Sequence, residues 1–148
     1  SVMENIIYIT PEQARITHAK TLEYSGGGTL EEIDFGRLEG VLYNIQNDDW
    51  YPTFVDKLTH LFFCTCQFHC FADGNKRLAI TLSTLFLLLN GYLSVAETFL
   101  AKTENICLNV AASKIDKELL HQIIQAIMDG TYDDDESLKL EIFRAISE

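Results

Sequence analysis

Apolar residues along this chain fall at helical spacing in blocks separated by short polar stretches. Phe54, Leu58, Leu61, Phe62 and Phe68 follow the 3.6-residue period, and Thr53 with Asp56 three residues on forms a capping box ahead of them. Thr10-Pro11-Glu12-Gln13 predicts another helix start: Thr10 as N-cap, Pro11 at the first helical position, and Gln13 closing the box. That helix should run to about Tyr24, where Ser25-Gly26-Gly27-Gly28 releases the backbone. Asp34 can cap a third helix through Phe35, Leu38, Leu42 and Ile45, which Asn47-Asp48-Asp49 and Pro52 then break. His69 to Gly74 interrupts the pattern. From Asn75 to Leu89 it resumes and is apolar nearly all round, predicting a central buried helix that stops at Asn90-Gly91. Further helices are predicted over Glu104 to Ala112 and Lys117 to Met128. Thr131 to Glu136 forms an acidic turn, and Ser137 to Ile146 a short final helix. Ile6 to Ile9 either pairs as a strand or packs down. The fold class is all-α with at most one small hairpin, and residues 1–148 form a single domain in which 131–148 hold the acidic turn and last helix.

Composition narrows the partners. Hydrophobic residues at 47% and charged residues at 22% make an ordinary globular balance, so disorder is not the default. A formal net charge of −11 repels phosphate backbones and disfavours DNA or RNA as the main partner. A nucleotide is a different case, because a few local donors reverse the field at one site. Leu78 to Leu89 is too short to span a bilayer, so no membrane partner is expected. The first residues lack the basic start and apolar core of a signal peptide. Three of the four cysteines crowd one segment, a poor staple for a whole domain, and a cytoplasmic location follows as the expectation.

The chemistry concentrates in His69-Cys70-Phe71-Ala72-Asp73-Gly74-Asn75-Lys76-Arg77, which places a base, a carboxylate, a glycine turn and two cations between two helices. Gly74 permits a tight turn just before a helix. The first amides of that helix lack intrahelical acceptors and carry the positive end of its dipole, a natural seat for phosphate. Lys76 and Arg77 oppose that dipole, so their placement implies an anion. Asp73 suits Mg2+, which takes one or two carboxylates plus substrate phosphates. His69 suits proton abstraction from a hydroxyl.

These residues resemble the Fic/Doc motif, His-x-Phe-x-Asp/Glu-Gly/Ala-Asn-Gly/Lys-Arg, which joins two core helices. Every motif position is filled, by His69, Phe71, Asp73, Gly74, Asn75, Lys76 and Arg77. The stretch from Ser25 to Leu42 is similar to the region ahead of the core helices in Doc-like proteins, and Val110 to Lys114 resembles their downstream helix. The resemblance implies a Fic-fold bundle of about six to eight helices with a small flap or hairpin before the core helices. It implies His69 as general base, Phe71 as the anchor of the loop, and Asp73 as the magnesium ligand. Gly74 and Asn75 would shape the anion pocket, and Lys76 with Arg77 would hold the phosphates of ATP or another NTP. The loop of Gly26, Gly27, Gly28 and Thr29 would be the flap that aligns a target segment by strand-like pairing. The implied activity is transfer of a phosphate-containing group to a Ser, Thr or Tyr of a target protein.

Two departures bear on which group moves. Members that transfer AMP usually carry Gly at the place of Lys76 and a second Arg at the place of Ile80. Lys76 resembles the Doc branch, a toxin with a partner antitoxin that phosphorylates elongation factor Tu, whereas Gly74 is the commoner Fic choice. Adenylyl transfer and a non-catalytic binding module are the alternatives. Ser137 and Glu141 have the spacing of a self-inhibitory helix, but with Ile80 in place of its Arg partner Glu141 reads as part of a solvated face.

Simpler readings exist for each feature. A glycine run is often only a flexible connection, and Asp73 alone would read as a helix N-cap. His18, His60 and His121 have no supporting neighbours and read as surface or packing residues. Cys64-x-Cys66-x-x-His69-Cys70 invites a zinc reading, but residues two apart on a helix point nearly opposite ways. These cysteines read as small buried hydrophobes.

Overall fold

In the computed structural model, which describes residues 5–148, Thr10 and Thr53 open their helices as predicted. Each hydroxyl accepts the amide of the third helical residue, at 3.1 Å from Gln13 and 3.0 Å from Asp56. The side chains of those residues accept the cap amides in return, both at 2.9 Å. They begin α1 (Pro11–Tyr24) and α3 (Phe54–Gln67). Between them lies α2 (Phe35–Asn44), and beyond the motif loop lies α4 (Asn75–Leu89). The chain continues through α5 (Leu93–Lys102), α6 (Glu104–Ala111), α7 (Lys117–Asp129), a 3-10 turn (Tyr132–Asp134) and α8 (Glu136–Ser147). The all-helical bundle is as expected, with eight α-helices among the described residues.

The centre is shared rather than held by α4 alone. α3 packs against α2, α4, α6 and α7, while α4 packs against α1, α3, α5 and α6. α3 contributes Leu58, Leu61 and Phe62 to the core and α4 contributes Leu78, Leu82 and Phe86, all fully buried. Each such side chain contributes on the order of 1.5–3 kcal/mol on leaving water. Lys57 is buried with them, its ammonium satisfied by the Ile45 carbonyl at 2.6 Å and the Asp48 carboxylate at 2.7 Å. α8 lies outside, packed on α7 through Leu138 and Ile142.

The structure resolves one alternative, adds one helix and alters one cap. Ile6 to Ile9 packs down: Ile9 is buried, and Asn90 bonds both the amide and the carbonyl of Ile7 at 2.9 Å. The helix at Leu93–Lys102 escaped the pattern because it buries only Ala96 and Phe99, too few positions to mark a period. Asp34 stands at the N-cap of α2 without a side-chain capping bond. Its amide and that of Ile33 instead donate to the Cys70 carbonyl at 3.0 and 2.9 Å, so pairing with the motif loop fixes where α2 begins.

The segment before α2 forms no hairpin among the described residues. Gly26, Gly27 and Gly28 have φ of +97°, +100° and +144°, which a regular strand does not tolerate. The segment pairs instead across the fold, in one antiparallel bridge between Glu32 and Phe71. Among the described residues no helix is long and apolar enough to cross a membrane.

Candidate active site

α3 ends where Phe68 turns extended, and the chain reaches α4 through a six-residue loop from His69 to Gly74. Phe71 fixes that loop to the core. It is 1% exposed, stacked on the His18 ring at 3.6 Å between centroids and edge-on to Phe35 at 5.6 Å. Asn75 ties the loop to the helix that follows. Its Oδ1 accepts the Phe71 amide at 3.1 Å, and its Nδ2 donates to the Phe71 carbonyl at 2.7 Å. The side-chain amide is therefore spent on shaping the loop.

Gly74 is the N-cap of α4, with φ of +81°. A Cβ there would stand 2.8 Å from Leu22 Cδ2, so conformation and space both call for glycine. The first helical bond runs from the Leu78 amide to the Gly74 carbonyl at 2.8 Å. The amides of Asn75, Lys76 and Arg77 are left without helical acceptors.

Asp73, Gly74, Asn75, Lys76 and Arg77 line a single cleft of about 330 Å3, closed on its far side by Glu104, Cys107 and Leu108 of α6. Five predicted positions thus meet at one place. Arg77 lies 3.6 Å from Asp73, and both are partly exposed, so the pair contributes at most about 1 kcal/mol and leaves the guanidinium open to an incoming anion. Lys76 is exposed. Ile80 also lines the cleft, and only 8% of it is exposed.

His69 is exposed at the other end of the loop and is not among the residues lining this cleft. Of the glycine run, Gly28 comes up against the site. Gly28 passes so close to Asp73 that a Cβ would stand 2.5 Å from Oδ2. Behind it, the Ala72 amide donates to the Glu31 carbonyl at 2.9 Å, continuing the pairing at Cys70. Gly26, Gly27, Gly28 and Thr29 are exposed, and the Leu30 side chain beside them is 60% exposed.

For a magnesium nucleotide the donor set fits. Asp73 offers a carboxylate at the mouth of an anion-ready helix end, and Mg2+ draws its remaining ligands from phosphate and water. Among the described residues no three His, Cys, Asp or Glu side chains converge as a metal cage. The four cysteines are free and buried. Cys64 Sγ lies 3.6 Å from His60 Nε2, whereas Cys66 turns to Cys107, whose hydrogen bond together with burial pushes the Cys66 thiol up.

Sequence reasoning missed Glu104, Cys107 and Leu108, which no motif marks, and it missed His18. That histidine is buried in α1 and donates through Nε2 to the Asp73 carbonyl at 2.8 Å. A lone histidine 55 positions away in sequence carries no signal of this contact. The other two also have partners. His121 bonds Asp56 at 2.8 Å, and His60 accepts from Lys117 at 2.6 Å and reaches Tyr51 at 3.1 Å. His121 borders a larger cleft of about 540 Å3 toward the start of α3, which is lined by no motif residue. Glu141 is exposed on α8 and lines a surface pocket with Lys114 and Glu118, away from the motif residues.

No curated protein matches the chain. The model of the Fic/DOC family matches residues 8–87, more than half of the chain, from the residues ahead of α1 through the motif and most of α4. With the full motif and an all-helical fold built around it, the chain belongs to the Fic/DOC family.

Proposed function

We propose that this Fic-type transferase moves the γ-phosphoryl group of ATP or another NTP to a Ser, Thr or Tyr hydroxyl of a target protein, in the manner of the Doc branch. The observation that carries the reading is the single cleft in which Asp73, the αL turn at Gly74, Lys76, Arg77 and the open amides of α4 converge. Family members generally use a nucleotide with Mg2+, and these residues fit that ligand. Lys76, Arg77 and the α4 amides would receive the phosphates. Asp73 would hold Mg2+, which supplies charge neutralisation on the transferred group.

His69 stands exposed and without a side-chain hydrogen bond among the described residues, so its ring is open to a substrate hydroxyl. It would take the hydroxyl proton as the oxygen forms its bond to phosphorus. The bond from that phosphorus to the bridging oxygen breaks, and the nucleoside diphosphate leaves with the electron pair. Ile80 favours phosphoryl over adenylyl transfer, since an apolar side chain lines the cleft where adenylyl-transferring members place a second phosphate-binding Arg. The exposed flap beside Gly28 supports alignment of a target segment by its backbone. Elongation factor Tu is the target to try first by resemblance, and toxicity relieved by an antitoxin is the biological expectation.

The test uses ATP labelled at the α or the γ phosphate, with magnesium and lysate or purified elongation factor. Label should pass from the γ position only, and His69→Ala should lower it by about 10²–10⁴-fold, the usual worth of a general base. Label from the α position identifies adenylyl transfer instead. Equal labelling by wild type and His69→Ala removes His69 from the reaction.

A further inference from the structure

The Asp73–Gly74 peptide is trans, so its C=O and N–H point in opposite directions. Its carbonyl is held by His18 Nε2 at 2.8 Å, from a side chain that is 1% exposed and packed beneath the loop. The Gly74 N–H must therefore face away from α1. Among the described residues it has no acceptor, and it directly precedes the open amides of α4 on the cleft wall. Glycine can adopt either sign of φ, so this is the peptide of the loop most able to flip. The bond from His18 opposes that flip. The Phe71 ring, stacked 14° from parallel on His18, and Leu22, which would collide with a Cβ at Gly74, keep donor and carbonyl in register.

We infer that His18 is a positioning residue of the site: by pinning the Asp73 carbonyl inward it turns the Gly74 N–H outward as a donor to a phosphate group in the cleft. This rests on the nucleotide reading above for its purpose, though not for its geometry. Three variants separate the role from packing. His18→Phe keeps a ring against Phe71 and removes the donor. His18→Gln keeps an N–H donor of similar reach. Leu22→Ala removes packing beside Gly74 and leaves the hydrogen bond.

The Gly74 amide is followed by NMR in uniformly 15N-labelled full-length chain during titration with inorganic pyrophosphate, alongside melting temperature and label transfer from ATP. The wild-type Gly74 amide should shift on titration. His18→Phe should weaken that response about tenfold while melting within a few degrees of wild type. His18→Gln should recover most of it, and Leu22→Ala should lose stability with less effect on affinity. A Gly74 amide that ignores pyrophosphate in wild type, or answers equally in His18→Phe, overturns the inference. So does a His18→Phe variant that loses stability but binds pyrophosphate as wild type does. If the Gly74 amide behaves as stated but no label is transferred by any form, the transferase reading fails and the role of His18 stands.

Discussion

At Gly28 the backbone has φ of +144°, and a Cβ placed there would meet Asp73 Oδ2 at 2.5 Å and Leu22 Cδ2 at 3.1 Å. Gly26 has φ of +97° with no heavy atom within 4 Å of such a Cβ. Comparing alanine at the two positions separates backbone strain from collision. Both variants should lose about 1–3 kcal/mol in denaturant unfolding, the cost of holding a side chain at unfavourable φ. Only Gly28→Ala should also displace the Asp73 carboxylate, raising the magnesium needed for half-maximal label transfer about tenfold. Equal magnesium dependence in the two variants would mean that Asp73 is free to move aside. The motif residues themselves were legible in the sequence because a base, a carboxylate and cations at fixed spacing require little of the fold. Leu22 and His18 were not, because each acts from α1 on a loop some fifty residues later, and pairing at that distance leaves no periodic trace.

The helices themselves were read most reliably where a cap and a period agreed. Thr53 and Asp56 satisfy each other's orphan groups, and α3 then buries Val55, Leu58, Leu61 and Phe62 in one stripe. Thr53→Ala should cost about 1 kcal/mol of unfolding free energy, typical for loss of an N-cap hydroxyl. Thr10→Ala should cost a similar amount by the same loss. A change below about 0.3 kcal/mol in chemical denaturation would show that tertiary packing, not the cap, fixes that helix start. α5 was illegible because packing of Phe99 edge-on to Phe62, 5.6 Å between centroids, anchors it through very few positions. Where the glycine loop pairs was hidden in the sequence for a related reason. A glycine run and a following polar stretch predict a turn, but they do not say which distant backbone receives the pairing, and here it is Cys70 to Ala72.

Across the whole molecule the acidic excess makes its few interior cations and neutral bases informative. His60 sits between Lys117, Tyr51 and Cys64, and its pKa falls from 6.5 to about 4 through burial first and the Lys117 charge second. The unfolded chain takes up a proton near 6.5 and the folded chain refuses it until about 4, so the unfolded state binds more protons between those values. The stability this neutral histidine supports is fully present above about pH 6.5 and is lost as pH falls toward 4. His60→Asn should flatten the fall of melting temperature across that window, and a variant as steep as wild type would assign the acid sensitivity to other groups. One further consequence belongs to the cross-fold pairing of Glu31–Asp34 with Cys70–Ala72. It closes a circuit on the order of 40 residues through α2 and α3, and the entropy of that closure is met during folding. An arriving ligand therefore meets two loops already fixed against each other, and its binding energy goes to contacts rather than to ordering them.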